Sequence, residues 1–265
     1  MNLTAAFKEI FIFFFKQDLK SKRVKIFLLF SMVPVFILLI AKILEMNNPA
    51  ADVLASKIFT RVVLIVYIQL LIPVLALLFG SLIVNEEVDN KTLVFLTTSP
   101  IPKPAVILGK YTAYVIITAL IVNLGLFLSF FIVKIGNPGD TVHIKQFFSY
   151  VGVGTLALVT YTAFFTLLGT LFKKSMILGL LFIFGWENVV QYFPGTTQKF
   201  TIIHWIKSLL PAASDSGSFL RFLVFRLEPS STAESLAVLA VFITAALIAA
   251  SYIFRNKEYI LSDSV

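Results

Sequence analysis

Long apolar runs separated by short polar breaks make up most of the chain. Six runs are long enough to cross a bilayer, which takes roughly 20 apolar residues for ~30 Å of hydrocarbon. They are Val24–Leu44, Arg61–Val84, Ala105–Val133, Phe147–Phe172, Met176–Phe193 and Leu236–Phe254. Each is expected to be a helix, because lipid offers the backbone no hydrogen-bond partner. Pro34 and Pro73 fall inside two of the runs and predict kinks there. The pattern predicts an all-α polytopic membrane protein with six transmembrane helices in a single domain, residues 1–265.

Residues 3–21 follow another period. Phe7, Ile10, Phe11, Phe14 and Phe15 recur at helical spacing, whereas Lys8, Glu9, Lys16, Asp18 and Lys20 are polar. An apolar stripe edged by lysine fits a helix lying in the membrane interface. Joining it to the first span would carry Lys20, Lys22, Arg23 and Lys25 into the bilayer. The apolar run that follows is too long for a cleaved signal peptide, and no small-x-small site closes it. With the N-terminus inside, 13 of the 22 Lys and Arg fall on the inner side. Four of the remaining nine, Lys199, Lys207, Arg221 and Arg226, lie in one long loop, where charge bias carries little weight. Both termini are therefore expected in the cytoplasm.

Composition narrows the class. Hydrophobic residues make up 58% of the chain and charged residues 14%, with mean hydropathy +0.94. A soluble core of this size cannot bury that excess, which excludes a water-soluble enzyme. The net charge of +8 fits cations at a membrane face better than a nucleic-acid surface. With no Cys, disulfides, thiolate metal sites and a Cys nucleophile are excluded. The 28 Phe are read as bilayer and core filler.

Two segments do not span. External residues 194–235 hold an apolar patch of Phe200, Ile202, Ile203, Trp205, Ile206, Leu209 and Leu210 that ends at Pro211. After Ser214–Ser218 a second apolar piece runs Phe219–Leu227. Short helices dipping into the outer leaflet, partly closing the external side, are expected here. Cytoplasmic residues 85–104 read as a short helix capped by Asn85, with Glu86, Glu87 and Asp89 in its favourable first turn. Leu93, Phe95 and Leu96 then form an apolar face without a partner in the chain, and Pro100, Pro102 and Pro104 end it. Such a helix is a docking element by geometry.

At this point the sequence resembles the ABC-2 type permeases, the membrane subunits of a class of ATP-binding-cassette exporters. Glu87, Thr92, Leu93, Leu96, Ser99, Pro100, Ile101, Leu108, Gly109 and Lys110 stand in the register of the family's 2–3 loop and third-span entry. Lys91 replaces the usual Gly, and Lys103 a common Arg. The layout matches over almost the whole chain. The resemblance implies a half-transporter in the cell membrane that pairs with a second permease subunit, identical or related. Each subunit would seat its coupling helix on a cytoplasmic ATPase, with Glu86, Glu87, Asp89, Thr92, Leu93, Phe95, Leu96 and Pro100 as docking residues. ATP and Mg would sit on that ATPase, because this chain has no G-x-x-x-x-G-K-[ST] and no catalytic residue is assigned.

Within the spans the most polar spot is Trp186-Glu187-Asn188 with Gln191. A carboxylate in hydrocarbon is costly enough to face a cavity or a partner. Glu187, Asn188, Gln191 and Gln69 are the pathway or gate candidates; alternatively, the fifth span breaks there and Glu187 meets outside water or caps a re-entrant helix. Asn123 reads as an interhelical hydrogen bond, and Gly152, Gly154, Ala157, Ala163 and Gly169 as sites of close helix packing. His143 and His204, both external, make no metal site. Two other functions fit less well. A stand-alone channel, carrier or assembly scaffold leaves the 88–96 face unexplained. A glutamate-type intramembrane protease would need Glu86-Glu87 and His204 on one face and a further His after it.

Overall fold

A computed structural model describes residues 3–47, 54–89, 102–135, 144–191, 193, 196–210 and 230–256. The described residues are almost entirely helical, in the order α1 (Leu3–Leu19), α2 (Lys22–Asn47), α3 (Leu54–Asn85), α4 (Lys103–Lys134), α5 (Ile144–Leu171), α6 (Ser175–Val190), α7 (Ile202–Ser208) and α8 (Thr232–Asn256). The helices α2, α3, α4, α5 and α8 are each long and apolar enough to cross a membrane. The fifth expected crossing, Met176–Phe193, is the shorter α6, which at ~1.5 Å per residue reaches about 24 Å.

Both prolines coincide with a departure from regular α winding, of a different kind in each helix. Helix α2 breaks at Met32, two residues before Pro34, where the Met32 N–H bonds Leu29 and Phe30 carbonyls. In α3 the backbone widens over Val62–Leu71 into π-helical winding, and the Ile72 N–H bonds the Tyr67 carbonyl five residues back. Pro73 follows at once and has no N–H for the Gln69 carbonyl, so the wide turn absorbs the missing bond.

Helix α3 lies at the centre, with 67% of its apolar stretch buried against 17% for peripheral α8. Its seam with α5 is built from small residues. A Cβ on Gly80 would stand 2.9 Å from Phe165 Cβ, and one on Gly169 would stand 3.0 Å from the Ser81 carbonyl oxygen. Ala157 and Ala163 are fully buried in α5, whereas Gly152 has open space around it. Gly169→Val is therefore expected to force the two backbones apart and cost about 1–3 kcal/mol, read as a lower melting temperature in detergent. Gly152→Ala should not lower melting and should raise it slightly, since nothing opposes a Cβ there and Ala favours the helix. Equal melting of both variants would show that the seam is not tight.

Helix α1 does not turn its apolar stripe away from the protein. Ala6 and Ile10 are buried against Ala105 and Val106 of α4, with Phe7 and Phe14 packed beside them. Gly109 makes the approach possible, since a Cβ there would meet Ile10 Cγ2 at 2.7 Å. Lys110, fully buried, donates to the Ile83 carbonyl (3.3 Å) and lies 4.3 Å from the Phe14 ring centroid. The Leu108-Gly109-Lys110 sequence thus joins α1, α3 and α4 at one end of the bundle. Lys103 of α4 donates to the Arg255 carbonyl of α8 at that same end. Apolar side chains such as Phe127, Phe131, Val241 and Ile248 remain exposed on the outside, as a bilayer solvent allows.

One expectation needs correcting. Asn85 does not start a new helix, because the winding of Ile72–Asp89 continues through it without interruption. No proline lies between Pro73 and Pro100 to stop it. Glu86, Glu87 and Asp89 thus extend the second crossing, and the Asn85 amide instead donates to Ser175 Oγ at the start of α6 (2.7 Å).

Candidate functional site

Glu187 ends a second stretch of π-helical winding, Phe182–Glu187, inside α6. Although its helix is apolar and largely exposed, the Glu187 side chain is buried at 4% exposure. Its Oε1 accepts the Ile202 N–H (2.9 Å) and its Oε2 the Ile203 N–H (3.0 Å). Oε2 also accepts the Tyr161 hydroxyl of α5 at 3.1 Å. The carboxylate is thus the anionic cap of α7, placed where the first free N–H groups and the positive end of the helix dipole converge. Of the alternatives for Glu187, the geometry takes the helix cap: it is in neither open water nor contact with lipid.

Helix α7 is itself enclosed. Ile202, Ile203, His204, Trp205, Ile206 and Lys207 are all buried, packed against α5 and α8. Thr201 supplies the ordinary N-cap, its Oγ1 accepting the His204 N–H. Trp205 Nε1 donates to the Lys199 carbonyl, His204 Nε2 lies 3.2 Å from Ser230 Oγ, and Lys199 pairs with Glu234 at 3.7 Å. These contacts fix α7 to the beginning of α8, at the opposite end of the bundle from α1.

The other pathway candidates gather at the far end of α7. Gln69 Nε2 donates to Asn188 Oδ1 (2.6 Å), Gln191 Nε2 donates to the same oxygen (3.1 Å), and Asn188 Nδ2 donates to the Ile183 carbonyl (2.8 Å). Lys207 then donates to Gln191 Oε1 (2.8 Å) and Gln69 Oε1 (3.4 Å). Burial pushes the Lys207 ammonium down to about 8, while the Glu187 charge favours its protonated form. The structure therefore bonds Asn188, Gln191 and Gln69 to one another at one end of α7 and sets Glu187 at the other, together with two members the sequence did not single out, Lys207 in the first group and Tyr161 beside Glu187. Tyr161 reads as one more span tyrosine, and Lys207 as one more loop cation. The available signal for Lys207 was its place as the lone cation after the apolar Ile202, Ile203, Trp205 and Ile206.

Elsewhere, Asn123 Nδ2 donates to Thr155 Oγ1 between α4 and α5, an interhelical bond. Among the described residues no group of three or more His, Asp or Glu could hold a metal. Of the docking candidates, Thr92, Leu93, Phe95, Leu96 and Pro100 lie outside the described residues, as does His143; Glu86, Glu87 and Asp89 are described only as helix backbone. A family model described as ABC-2 family transporter protein matches residues 10–259. No curated protein matches the chain.

Proposed function

Given that the chain belongs to the ABC-2 family of transporter proteins, we propose that it is the transmembrane permease subunit of an ATP-driven exporter. It pairs with a second permease subunit in the cell membrane, both termini cytoplasmic, and each copy docks a cytoplasmic ATPase that carries the ATP and Mg. The family match over nearly the whole chain carries this reading.

The docking element is the stretch around Leu93, Phe95 and Leu96. Both described flanks of that stretch are tied into the bundle. On one side, Asn85 bonds Ser175 of α6 and the Ile83 carbonyl accepts from Lys110. On the other, Lys103 bonds the last turn of α8. A displacement at the docking stretch thus reaches α3, α4, α6 and α8 as packed bodies, the kind of rigid-element shift that moves bundles between states. Helix α6 begins at Ser175 and ends at the Glu187 cluster, so it links the docking end to the outer end. At that end, α7 capped by Glu187 serves as the outer gate, shut while the carboxylate holds α7 and opened when α6 withdraws it.

Coexpression with an ATP-binding-cassette subunit tests the assignment. The two are expected to copurify as one complex, with transport that stops when ATP is withheld. Full transport by the purified chain alone would overturn it.

A further inference from the structure

The outer cluster holds two sets of polar contacts, one at each end of α7, and the backbones of α6 and α7 join them into a ring. Glu187 holds the first two free N–H groups of α7, and Lys207 in the last turn of α7 reaches back to Gln191 and Gln69. Both amides hold Asn188 Oδ1, and Asn188 Nδ2 holds the carbonyl of Ile183, five residues earlier in the wide turn of α6. That carbonyl belongs to the stretch Phe182–Glu187, whose widened winding sets the direction in which Glu187 leaves the helix. A cation at one end of α7 therefore bears on the carboxylate at the other. A buried ammonium is a costly way to fill space, and an aliphatic side chain of similar volume would pack there without that penalty.

We propose that Lys207 is a positioning residue of the outer gate: by holding Gln191 and Gln69 it keeps the Asn188 amide on the wide turn and so keeps Glu187 aimed at α7. This rests on the reading of Glu187 as the gate residue. Loss of the Lys207 contacts frees both amides and lets the turn tighten to ordinary α winding. One residue of such rewinding turns Glu187 by about 100° away from Ile202 and Ile203. Because each bond in the ring supports the next, closure is all-or-none, and a break at either end of α7 opens the same gate.

The chain contains no Cys, so a single reporter cysteine is unambiguous. Ile206→Cys serves, since Ile206 is fully buried in the closed arrangement. The assembled permease–ATPase complex in sealed vesicles is treated from outside, without ATP, with a membrane-impermeant maleimide. Adding Lys207→Gln should raise the labelling rate about tenfold or more, as loss of hydrogen bonds to a charged group implies. Lys207→Arg, which keeps the charge, should restore most of the protection, a rescue that simple loss of packing does not give. Glu187→Gln should raise labelling similarly, and the double Glu187→Gln/Lys207→Gln variant should label no faster than the faster single variant. Size-exclusion chromatography confirms assembly of each variant. Unchanged labelling with Lys207→Gln, no rescue by Arg, or effects that multiply in the double variant would each overturn the inference. If Glu187→Gln opens the gate and Lys207→Gln does not, only the role of Lys207 is lost. If Glu187→Gln leaves labelling unchanged, the gate reading falls with it.

Discussion

Replacing Leu93 and Leu96 together by Asp is expected to abolish recovery of the ATPase subunit with this chain, while the chain still inserts in the membrane. The two leucines stand three residues apart in the apolar run Leu93-Val94-Phe95-Leu96, between Glu86-Glu87 and Pro100. Burying a leucine side chain contributes about 1.5–3 kcal/mol, which each substitution forfeits, and introduced carboxylates add a desolvation penalty. Together the pair should weaken association by about a thousandfold or more, which a tag pull-down reads as loss of the partner. The spans are untouched, so protease-protection patterns of the inserted chain should match those of the parent. Recovery of the complex at parental yield would remove the docking assignment, and with it the link between ATP and this permease.

Glu187→Gln is the second substitution with a large expected effect, and it acts at the other end of the bundle. The carboxylate has only acceptor oxygens and meets three donors, the N–H groups of Ile202 and Ile203 and the Tyr161 hydroxyl. An amide keeps one oxygen and turns an NH2 toward a donor, so at least one buried N–H loses its acceptor. Such a loss costs about 1–3 kcal/mol, enough to weaken resting closure by roughly 5- to 150-fold. In proteoliposomes carrying the full complex, substrate moved per ATP should fall by about tenfold, while ATP hydrolysis and subunit assembly persist. Glu187→Asp, with the charge retained on a shorter arm, should fall between Gln and the parent. Parental transport by Glu187→Gln would return the residue to a purely structural cap.

The bilayer makes much of this fold readable from a linear pattern. Its thickness demands apolar runs of a set length and its dryness demands helices, so the positions of α2, α3, α4, α5 and α8 follow from residue type alone. Polar residues stand out against such runs, which is why Gln69, Glu187, Asn188 and Gln191 could be picked out before any geometry. Residue type could not show that Asn85 lies inside a continuing helix, because asparagine suits a cap and an interhelical hydrogen bond equally well. The fifth crossing ends early for a similar reason. An apolar run shows how far a helix can go, but not that the Glu187 carboxylate near the end of α6 takes the first two N–H groups of α7.

What the amino-acid order settled by itself was the solvent: a chain this apolar, with lysines and arginines gathered at the breaks, has to live across a membrane as helices. It also carried the register around Glu87 to Lys110 that links the chain to its family. Tertiary structure alone decided what each polar residue does there. Lys207 and Tyr161 are ordinary letters in sequence, 46 positions apart. They belong to one cluster only because α7 folds back beside α5, where a buried charge has no water and must find its partners in the protein. The stripe on α1 likewise met α4 because Ala6, Ala105 and Gly109 leave room for contact, a matter of fit between surfaces that no period along the chain encodes.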